Sequence, residues 1–185
     1  MCPTMSDVLV AWDPGLDCSG YAAYSRRCLG TGVTIEERAG PALILAGSLS
    51  TQPGTELGER IDRLCRRARG LSLALPPDQL WVIEQPAKKA VYARHRAAGS
   101  VAMHQSLMLC SMVVGALGAV ASQVTGRPPV YVRAARVRKE IKQALGARIL
   151  ASSSSLAQRS NADTRDAIYV GACALLNGWG RTGTG

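Results

Sequence analysis

Short apolar runs of strand length alternate along the chain with longer segments in which apolar residues recur at helical spacing. The first run, residues 7–13, ends at Pro14-Gly15, and a run that stops at such a turn is typical of a β-strand. Residues 15–19 then predict a hairpin turn into a second strand. The four further predicted strands span 20–25, 42–50, 80–84 and 130–132.

Helical periodicity predicts four helices. Between residues 55 and 75, apolar side chains recur every three or four positions while arginines lie largely on the opposite face, and Thr55 is the expected N-cap. The last helix is expected to begin after Asn161, a second capping residue. The three helices predicted after the first span about 101–124, 134–145 and 162–176.

The order of these elements predicts the fold class. Three consecutive strands can form an antiparallel meander, and the alternation of helices and strands that follows favours an α/β protein with a mixed five-stranded sheet flanked by helices. Because no long polar linker divides the sequence, we expect a single domain over residues 7–178, with flexible ends at 1–6 and 179–185.

The charge of the chain adds a prediction about its partner. Among 185 residues, 22 are Lys or Arg and 13 are Asp or Glu, which gives a formal net charge of +9. An excess of this size favours binding to a polyanion, of which nucleic acid is the most common. The alternative is that the basic charge serves only solubility.

The cysteines and the most apolar segment argue against other classes of protein. The 6 cysteines form no Cys-x-x-Cys pair, and with only 2 histidines a zinc site is not expected. No signal-peptide pattern opens the chain, so we expect reduced thiols in the cytoplasm of a bacterial or phage-infected cell. Residues 107–121 are uncharged but shorter than the roughly 20 residues that cross a bilayer, which predicts a buried helix and no membrane contact.

Four acidic residues occupy positions that predict a catalytic site. Asp13 ends the first strand, and Glu84 ends the fourth, directly after the apolar residues 80–83. If these strands are neighbours, the two carboxylates meet at one end of the sheet. Asp163 and Asp166, three apart in the first turn of the last helix, project from one face and can reach the same end.

Grouped carboxylates repel one another, and divalent cations relieve that repulsion. Mg²⁺ or Mn²⁺ binds oxygen ligands, and two such ions can activate a water and stabilise the leaving oxygen of a phosphodiester. Purely structural roles stay open for single residues: Asp13 as a turn residue, and Asp163 with Asp166 as acids that complement the helix dipole. Glu84 is harder to account for in this way, because a charge at the end of an apolar strand needs a partner.

Four segments resemble the motifs of RuvC-type Holliday-junction resolvases. They are VAWDPGLDCSGYAAY, WVIEQP, PVYVRAARVRKEIKQALG and NADTRDAIYVGACALL, in the family's order over about residues 8–176. The resemblance implies a ribonuclease-H-like fold in which the four acidic residues hold two Mg²⁺ or Mn²⁺ ions per active site. It also implies a homodimer, formed through the predicted helix 101–124, that binds a four-way DNA junction and makes paired symmetric nicks. A core role within one chain is the alternative for that helix.

Basic residues near the acidic motifs are the predicted DNA contacts. The family places an aromatic residue shortly after Glu-Gln, whereas this chain has Pro86 and Ala87 there and no phenylalanine at all. Tyr92 is the candidate substitute, since an aromatic ring can stack on an unpaired base, and an ordinary surface tyrosine is the alternative. The predicted DNA-binding residues are Lys88, Lys89, Tyr92, Arg94, Arg133, Arg136, Lys139 and Lys142.

The function predicted from the sequence is a metal-dependent, structure-selective DNA endonuclease that resolves four-way junctions, with no small-molecule cofactor. Two alternatives stay open. One is a broader nuclease of the same fold that cuts flaps, replication forks or RNA–DNA hybrids, which the missing aromatic residue favours. The other is a protein that binds branched DNA without cutting it. The full set of four acids argues against that alternative, because a pure binder would gain affinity by losing them.

Overall fold

The computed structural model describes residues 7–52, 54–86, 99–133, 139–153 and 160–177 of the chain. Within these ranges the strands are β1 (Val8–Asp13), β2 (Cys18–Ser25), β3 (Leu43–Ser50), β4 (Gln79–Gln85) and β5 (Val130–Arg133). The helices are α1 (Ile35–Ala39), α2 (Leu57–Leu73), α3 (Gly99–Thr125), α4 (Lys139–Ala151) and α5 (Ala162–Leu176). The ends that were predicted to be flexible, 1–6 and 179–185, lie outside the described residues.

One mixed sheet carries the described strands in the order β3-β2-β1-β4-β5. Neighbouring strands among β1, β2 and β3 are antiparallel, whereas β4 runs parallel to β1 and β5 runs parallel to β4. The predicted meander followed by alternating helices and strands is therefore confirmed. β1 lies at the centre of the sheet with helices on both faces, which explains why its residues 8–12 are all apolar and buried.

Alternate side chains of the central strands enter two separate cores. Leu9 and Ala11 of β1 face α4 and α5, whereas Val10 and Trp12 face α2 and α3. Trp12 also packs on Trp81 of β4, with ring centroids 5.3 Å apart. Because successive side chains of a strand point to opposite faces, residue 13 follows Leu9 and Ala11 onto the side of the sheet that α5 covers.

Helix α5 lies unusually close to the sheet and to α4. The Tyr24 hydroxyl of β2 donates a buried hydrogen bond of 2.6 Å to the Ile168 carbonyl oxygen. At Gly171, a Cβ atom would lie 2.4 Å from the Tyr24 ring, and at Gly146 of α4 it would lie 2.2 Å from the Arg165 carbonyl oxygen. Glycine at these two positions therefore allows α5 to pack closely against β2 on one side and against α4 on the other.

The first residues of α5 cross β2 beside the end of β1. Gly20 of β2 is the cross-strand partner of Asp13, and a Cβ atom at Gly20 would lie 1.9 Å from the Asp163 carbonyl oxygen. A Cβ atom at Gly15, in the turn before β2, would lie 2.3 Å from the Cys18 carbonyl oxygen. Both glycines that follow Asp13 are thus required by backbone proximity, and the second one brings the start of α5 to the end of β1.

Several boundaries differ from the sequence prediction. Helix α1 was not predicted, although Thr34 and Glu37 form a capping box whose Thr-x-x-Glu spacing is visible in the sequence. The predicted N-cap Thr55 is wrong: α2 is capped at Glu56, and the Thr55 hydroxyl instead donates to the Gln52 carbonyl oxygen at 3.0 Å. The predicted cap of α5 is confirmed, since Asn161 accepts a hydrogen bond from the Thr164 amide.

The largest shift concerns α4. The sequence predicts a helix over 134–145, whereas the described helix begins at Lys139 and continues through Gly146 to Ala151. Residues 134–138 lie outside the described ranges. Gly146, the residue after the predicted end of the helix, lies against Arg165 of α5 inside the observed helix.

Helix α3, predicted over 101–124, contains a long apolar segment. Leu107–Thr125 is long and apolar enough to cross a membrane, judged by length and composition alone. A core helix passes the same test, and α3 buries Val113, Leu117 and Ala121 against the sheet. The absence of membrane contact stays a prediction.

We expect the substitution Gly20→Ala to lower the free energy of unfolding by about 2 kcal/mol or more, because the added methyl group must push the start of α5 away from β2. Urea denaturation followed by circular dichroism measures this change. Gly70→Ala on the exposed face of α2 is the matched control. A Cβ atom at Gly70 meets nothing within 4 Å, so this variant should gain up to about 1 kcal/mol in helix propensity. Equal stability of the two variants would contradict the close approach of α5 to β2.

Candidate active site

Asp13 ends β1, and Glu84 is the penultimate residue of the neighbouring parallel strand β4. The register of β1 with β4 pairs Trp12 with Ile83, so the next residues along the two strands are Asp13 and Glu84. Glu84 is 5% exposed, and Asp13 is partly buried. Burial raises the pKa of Asp13 well above its ordinary value, and the nearby Glu84 carboxylate raises it further. The expectation that these two acids meet at one end of the sheet agrees with this register and with their electrostatic coupling.

Helix α5 brings two further carboxylates to the same place. Asp166 is 7% exposed, and its pKa is raised by burial and by Glu84, against the opposing effects of Lys142, Lys139 and a hydrogen bond from Gln143. Both Asp166 and Asp163 raise the pKa of Asp13 in turn. Each of the three other acidic residues that the sequence singled out therefore acts electrostatically on Asp13, at the carboxyl end of β1.

The start of α5 is tied to the sheet by its capping residue. The Asn161 side chain accepts a hydrogen bond from the Thr164 amide at 2.8 Å and donates one of 3.0 Å to the Ser48 hydroxyl of β3. It also donates to Cys18 Sγ of β2 at 3.4 Å. The cap thus orients the first turn of α5, which carries Asp163, relative to two strands of the sheet.

Lys142, one of the predicted DNA contacts, is buried in the structure. Its side chain is 9% exposed, and its Nζ lies 2.5 Å from Glu84 Oε1, whose side chain is 6% exposed. The ammonium also lies 5.8 Å from the centroid of the Tyr169 ring. Gly146, one turn further along α4, contacts Arg165 of α5, and this contact turns the Lys142 face of α4 inward. The pattern of basic residues in the sequence contained no signal for this burial.

The turn that follows Asp13 is fixed by a network that the sequence prediction missed. The Thr51 hydroxyl donates to the Leu16 carbonyl oxygen at 2.5 Å, and Arg60 of α2 donates to the Thr51 hydroxyl at 3.1 Å. Arg60 also forms an ion pair with Asp17. This network holds an arginine, with 13% of its side chain exposed, beside the turn that leads out of the carboxylate cluster.

Carboxylate oxygens are suitable ligands for Mg²⁺ or Mn²⁺. Asp166 Oδ1 is buried and accepts no hydrogen bond within the described chain, as expected of an oxygen that a cation would satisfy. Yet no three acidic, histidine or cysteine side chains among the described residues are grouped closely enough to hold an ion as they stand. The oxygen atoms of these carboxylates are chemically suited to such a metal. In the structure, however, the positive group that contacts Glu84 is the ammonium of Lys142.

The remaining predicted DNA contacts divide into two groups. Arg133, the partner of Gln85 in the pairing of β5 with β4, is exposed, and so is Lys139 at the start of α4. Both are therefore available to a ligand near the carboxylates. The predicted contacts Lys88, Lys89, Tyr92, Arg94 and Arg136 lie outside the described residues.

Comparison with solved structures finds the same fold in RuvC of Thermus thermophilus. A structure of T. thermophilus RuvC in complex with Holliday junction substrate matches with a TM-score of 0.62 and 16% sequence identity, covering 94% of this chain and 96% of that chain. A structure of Thermus thermophilus RuvC matches with a TM-score of 0.60 and 17% identity, covering 94% and 97% of the two chains. No protein-family model and no curated protein matches the sequence.

The chain therefore has the α/β ribonuclease-H-like fold that its sequence predicts, with a mixed five-stranded sheet flanked by helices. The match extends over nearly the full length of both chains, so the shared fold includes the helix that carries Asp163 and Asp166 as well as the strands that carry Asp13 and Glu84. Identity this low shows a common fold, and the activity must be argued from the side chains.

We expect Asp13→Asn to stabilise the metal-free protein, because it removes a carboxylate that is partly buried beside other acids. A rise in melting temperature of about 2–4 °C corresponds to ~1 kcal/mol in a domain of this size. Differential scanning calorimetry in a chelating buffer at neutral pH measures it, with Asp62→Asn, at an exposed aspartate of α2, as the control.

The stability gained by Asp13→Asn depends on pH in a defined way. A carboxyl group whose pKa is raised by folding favours the folded state while it is protonated, and this contribution is lost as the pH rises through the raised pKa. The advantage of Asp13→Asn should therefore shrink as the pH is lowered toward the ordinary carboxyl pKa of about 4. A variant less stable than the wild type at neutral pH would show that the Asp13 carboxylate supports the metal-free fold.

Proposed function

We propose that this protein is a metal-dependent endonuclease that resolves four-way DNA junctions. The observation that carries the proposal is the convergence of Asp13, Glu84, Asp163 and Asp166 at the carboxyl ends of two parallel strands. The chain around these acids has a net charge of +9, which disfavours the binding of free cations. An acidic site in such a protein fits a ligand that is an anion and binds together with its metal ion. The fold shared with RuvC, one structure of which holds a Holliday junction, supports the same substrate.

The four carboxylates would hold Mg²⁺ or Mn²⁺, and two such ions supply an activated water and stabilisation of the leaving oxygen in phosphodiester hydrolysis. Glu84 and Asp13 are fixed by the β1–β4 register, so their spacing does not depend on a loop. Asp166 offers a buried oxygen with no other partner among the described groups. The protein thus contributes rigid ligands at the strand ends and a low-dielectric wall around them.

Basic residues beside the cluster would position the DNA backbone. Arg133 and Lys139 are exposed near the strand end that carries Glu84 and the helix start that faces Asp166. Contacts from such side chains to phosphates fix the register of DNA on a protein without reading its sequence. We assign these two residues to phosphate binding, and the predicted contacts at Lys88, Lys89, Tyr92, Arg94 and Arg136 stay predictions.

A second copy of the chain would supply the active site that makes the second nick. One face of α3 is buried in the core, while Met108 and Met112 on its other face are 55% and 43% exposed. Gly115 and Ala119 continue that exposed face at helical spacing and would allow a second helix to approach closely. A two-fold dimer formed through this face would present two identical sites, as a symmetric four-way junction requires.

Two observations favour a second candidate function, a protein that binds branched DNA without cutting it. Lys142 already neutralises Glu84, and the described side chains do not gather three ligands around one point. Cleavage and binding therefore have to be measured separately.

We expect the wild-type protein in Mg²⁺ to cut an end-labelled four-way junction symmetrically and to spare linear duplex, flap and RNA–DNA hybrid of matched sequence. Glu84→Gln should abolish cleavage, because it removes a charged ligand, and should leave junction binding unchanged or tighter in a gel-shift assay. Glu59→Gln on the surface of α2 is the control variant.

Each contrary result has a defined meaning. Equal cutting of flaps or hybrids would keep the chemistry and reject junction selectivity. Tight junction binding by the wild type without cutting in Mg²⁺ or Mn²⁺ would favour the non-catalytic binder. Loss of binding in Glu84→Gln together with loss of cleavage would show that Glu84 supports the fold.

We expect Met112→Arg to convert a wild-type dimer into a monomer, because it places a charge in the centre of the proposed interface without disturbing the buried face of α3. Analytical ultracentrifugation measures the change, and the variant should nick one strand of a junction rather than two opposed strands. Leu73→Arg, at a leucine of α2 that is 75% exposed, is the control. A wild-type protein that sediments as a monomer while bound to a junction would reject this dimer.

A further inference from the structure

The ammonium of Lys142 lies inside the carboxylate cluster rather than on its rim. Its Nζ contacts Glu84 Oε1 at 2.5 Å, and the two side chains are 9% and 6% exposed. The Tyr169 ring lies 5.8 Å from the same nitrogen. A buried pair of this kind gains its stability from mutual neutralisation, since either charge alone would be strongly destabilising in the core.

The partner of Lys142 is one of the four acids that we assign to metal binding. An ion held by Glu84 would stand next to the ammonium, and two cations sharing one carboxylate repel each other in a poorly hydrated site. The described side chains agree with such exclusion, because the ion pair is formed and no three donors are assembled around a common point. The Lys142 ammonium therefore occupies the position at Glu84 where the proposed function requires a divalent metal ion.

We propose that Lys142 is a built-in counterion that competes with the divalent metal for Glu84, so that the ammonium must leave this carboxylate before the site can be loaded. The inference rests on the proposed function, because it presupposes that the carboxylates bind a metal. In the absence of metal, Lys142 keeps the buried acids compatible with the folded state. In its presence, the same contact lowers the apparent affinity for the ion.

The lysine side chain is suited to this exchange. It is a long flexible chain with a compact, strongly hydrated charge, unlike the planar and less hydrated guanidinium of arginine. It belongs to α4, whose neighbouring residues Lys139 and Ile141 are exposed, so solvent lies within one helical turn. Release of Nζ from Glu84 thus requires rotation of one side chain and no movement of the helix, which Gly146 keeps against α5.

The test is a metal titration without DNA. Purified wild type and Lys142→Met are unfolded thermally in chelator and then at increasing MgCl₂ concentration, with MnCl₂ as a second probe. In chelator, the variant should melt at a lower temperature than the wild type, because Glu84 has lost its partner. Its half-saturating Mg²⁺ concentration should be about tenfold lower, the factor expected for removal of one competing hydrogen bond to a charged group. Isothermal titration calorimetry with MnCl₂ should show the same ratio.

Two further variants make the result specific. Lys139→Met removes the same charge from the same helix at an exposed position, so it should change the half-saturating concentration much less than Lys142→Met does. Lys142→Gln removes the charge but keeps a hydrogen-bond donor for Glu84, and it carries the test if Lys142→Met does not fold.

The outcomes separate this inference from the function on which it rests. Equal half-saturating concentrations in wild type and the folded Lys142 variant would overturn the competition while leaving the metal site intact. An equal shift in Lys139→Met would also overturn it, since the effect would then be general electrostatics. No metal response in any of the proteins would overturn the metal site itself, and the competition with it.

Discussion

Burial of several negative charges at one end of a hydrophobic sheet is the constraint on which this structure depends. Glu84 and Asp166 are almost inaccessible to solvent, and Asp13 ends the strand beside Glu84. A buried carboxylate destabilises the folded state unless it is paired, protonated or bound to a cation. Lys142 pairs with one of these acids, and the raised pKa values of Asp13 and Asp166 show that the others are not fully compensated. The negative charge of the site is thus only partly neutralised.

The surrounding fold can hold this arrangement because close packing also fixes the elements that carry the acids. The hydrogen bond from Tyr24 to Ile168 and the close contacts at Gly171 and Gly146 attach α5 to β2 and to α4. Tyr24 and Gly171 lie in the apolar interior, whereas Gly146 contacts Arg165 next to Asp166. The stabilisation from this packing offsets the repulsion between the acids at the end of the sheet.

Sequence patterns correctly predicted the structural features that depend on only a few neighbouring residues. The strand that ends at Asp13, the strand that carries Glu84 and the cap at Asn161 each depend on local chemistry, and the order of the elements then implied that the acids converge. The role of Lys142 could not be predicted in this way, because a lysine on a basic helix looks the same whether it is buried or exposed.

What decides the orientation of Lys142 is a contact between residues distant in sequence, Gly146 and Arg165, and periodicity does not encode such a contact. The same contact explains why α4 extends beyond the predicted end of the helix. Helix α1 is a different case, since its capping box of Thr34 and Glu37 is a local signal that the sequence contains. The DNA contacts predicted between Lys88 and Arg94 fall outside the described residues and stay predictions.

The separation of the four acids along the chain has a consequence for biosynthesis. Asp13 and Glu84 belong to the first half of the chain, whereas Asp163 and Asp166 arrive only with α5. Domains fold as synthesis proceeds, and a nascent chain that lacks α5 has two of the four acids and an uncovered sheet face. A chain that lacks α5 therefore has neither the complete set of acids nor a covered sheet face. Assembly of the four acids and completion of the hydrophobic core are reached in the same step.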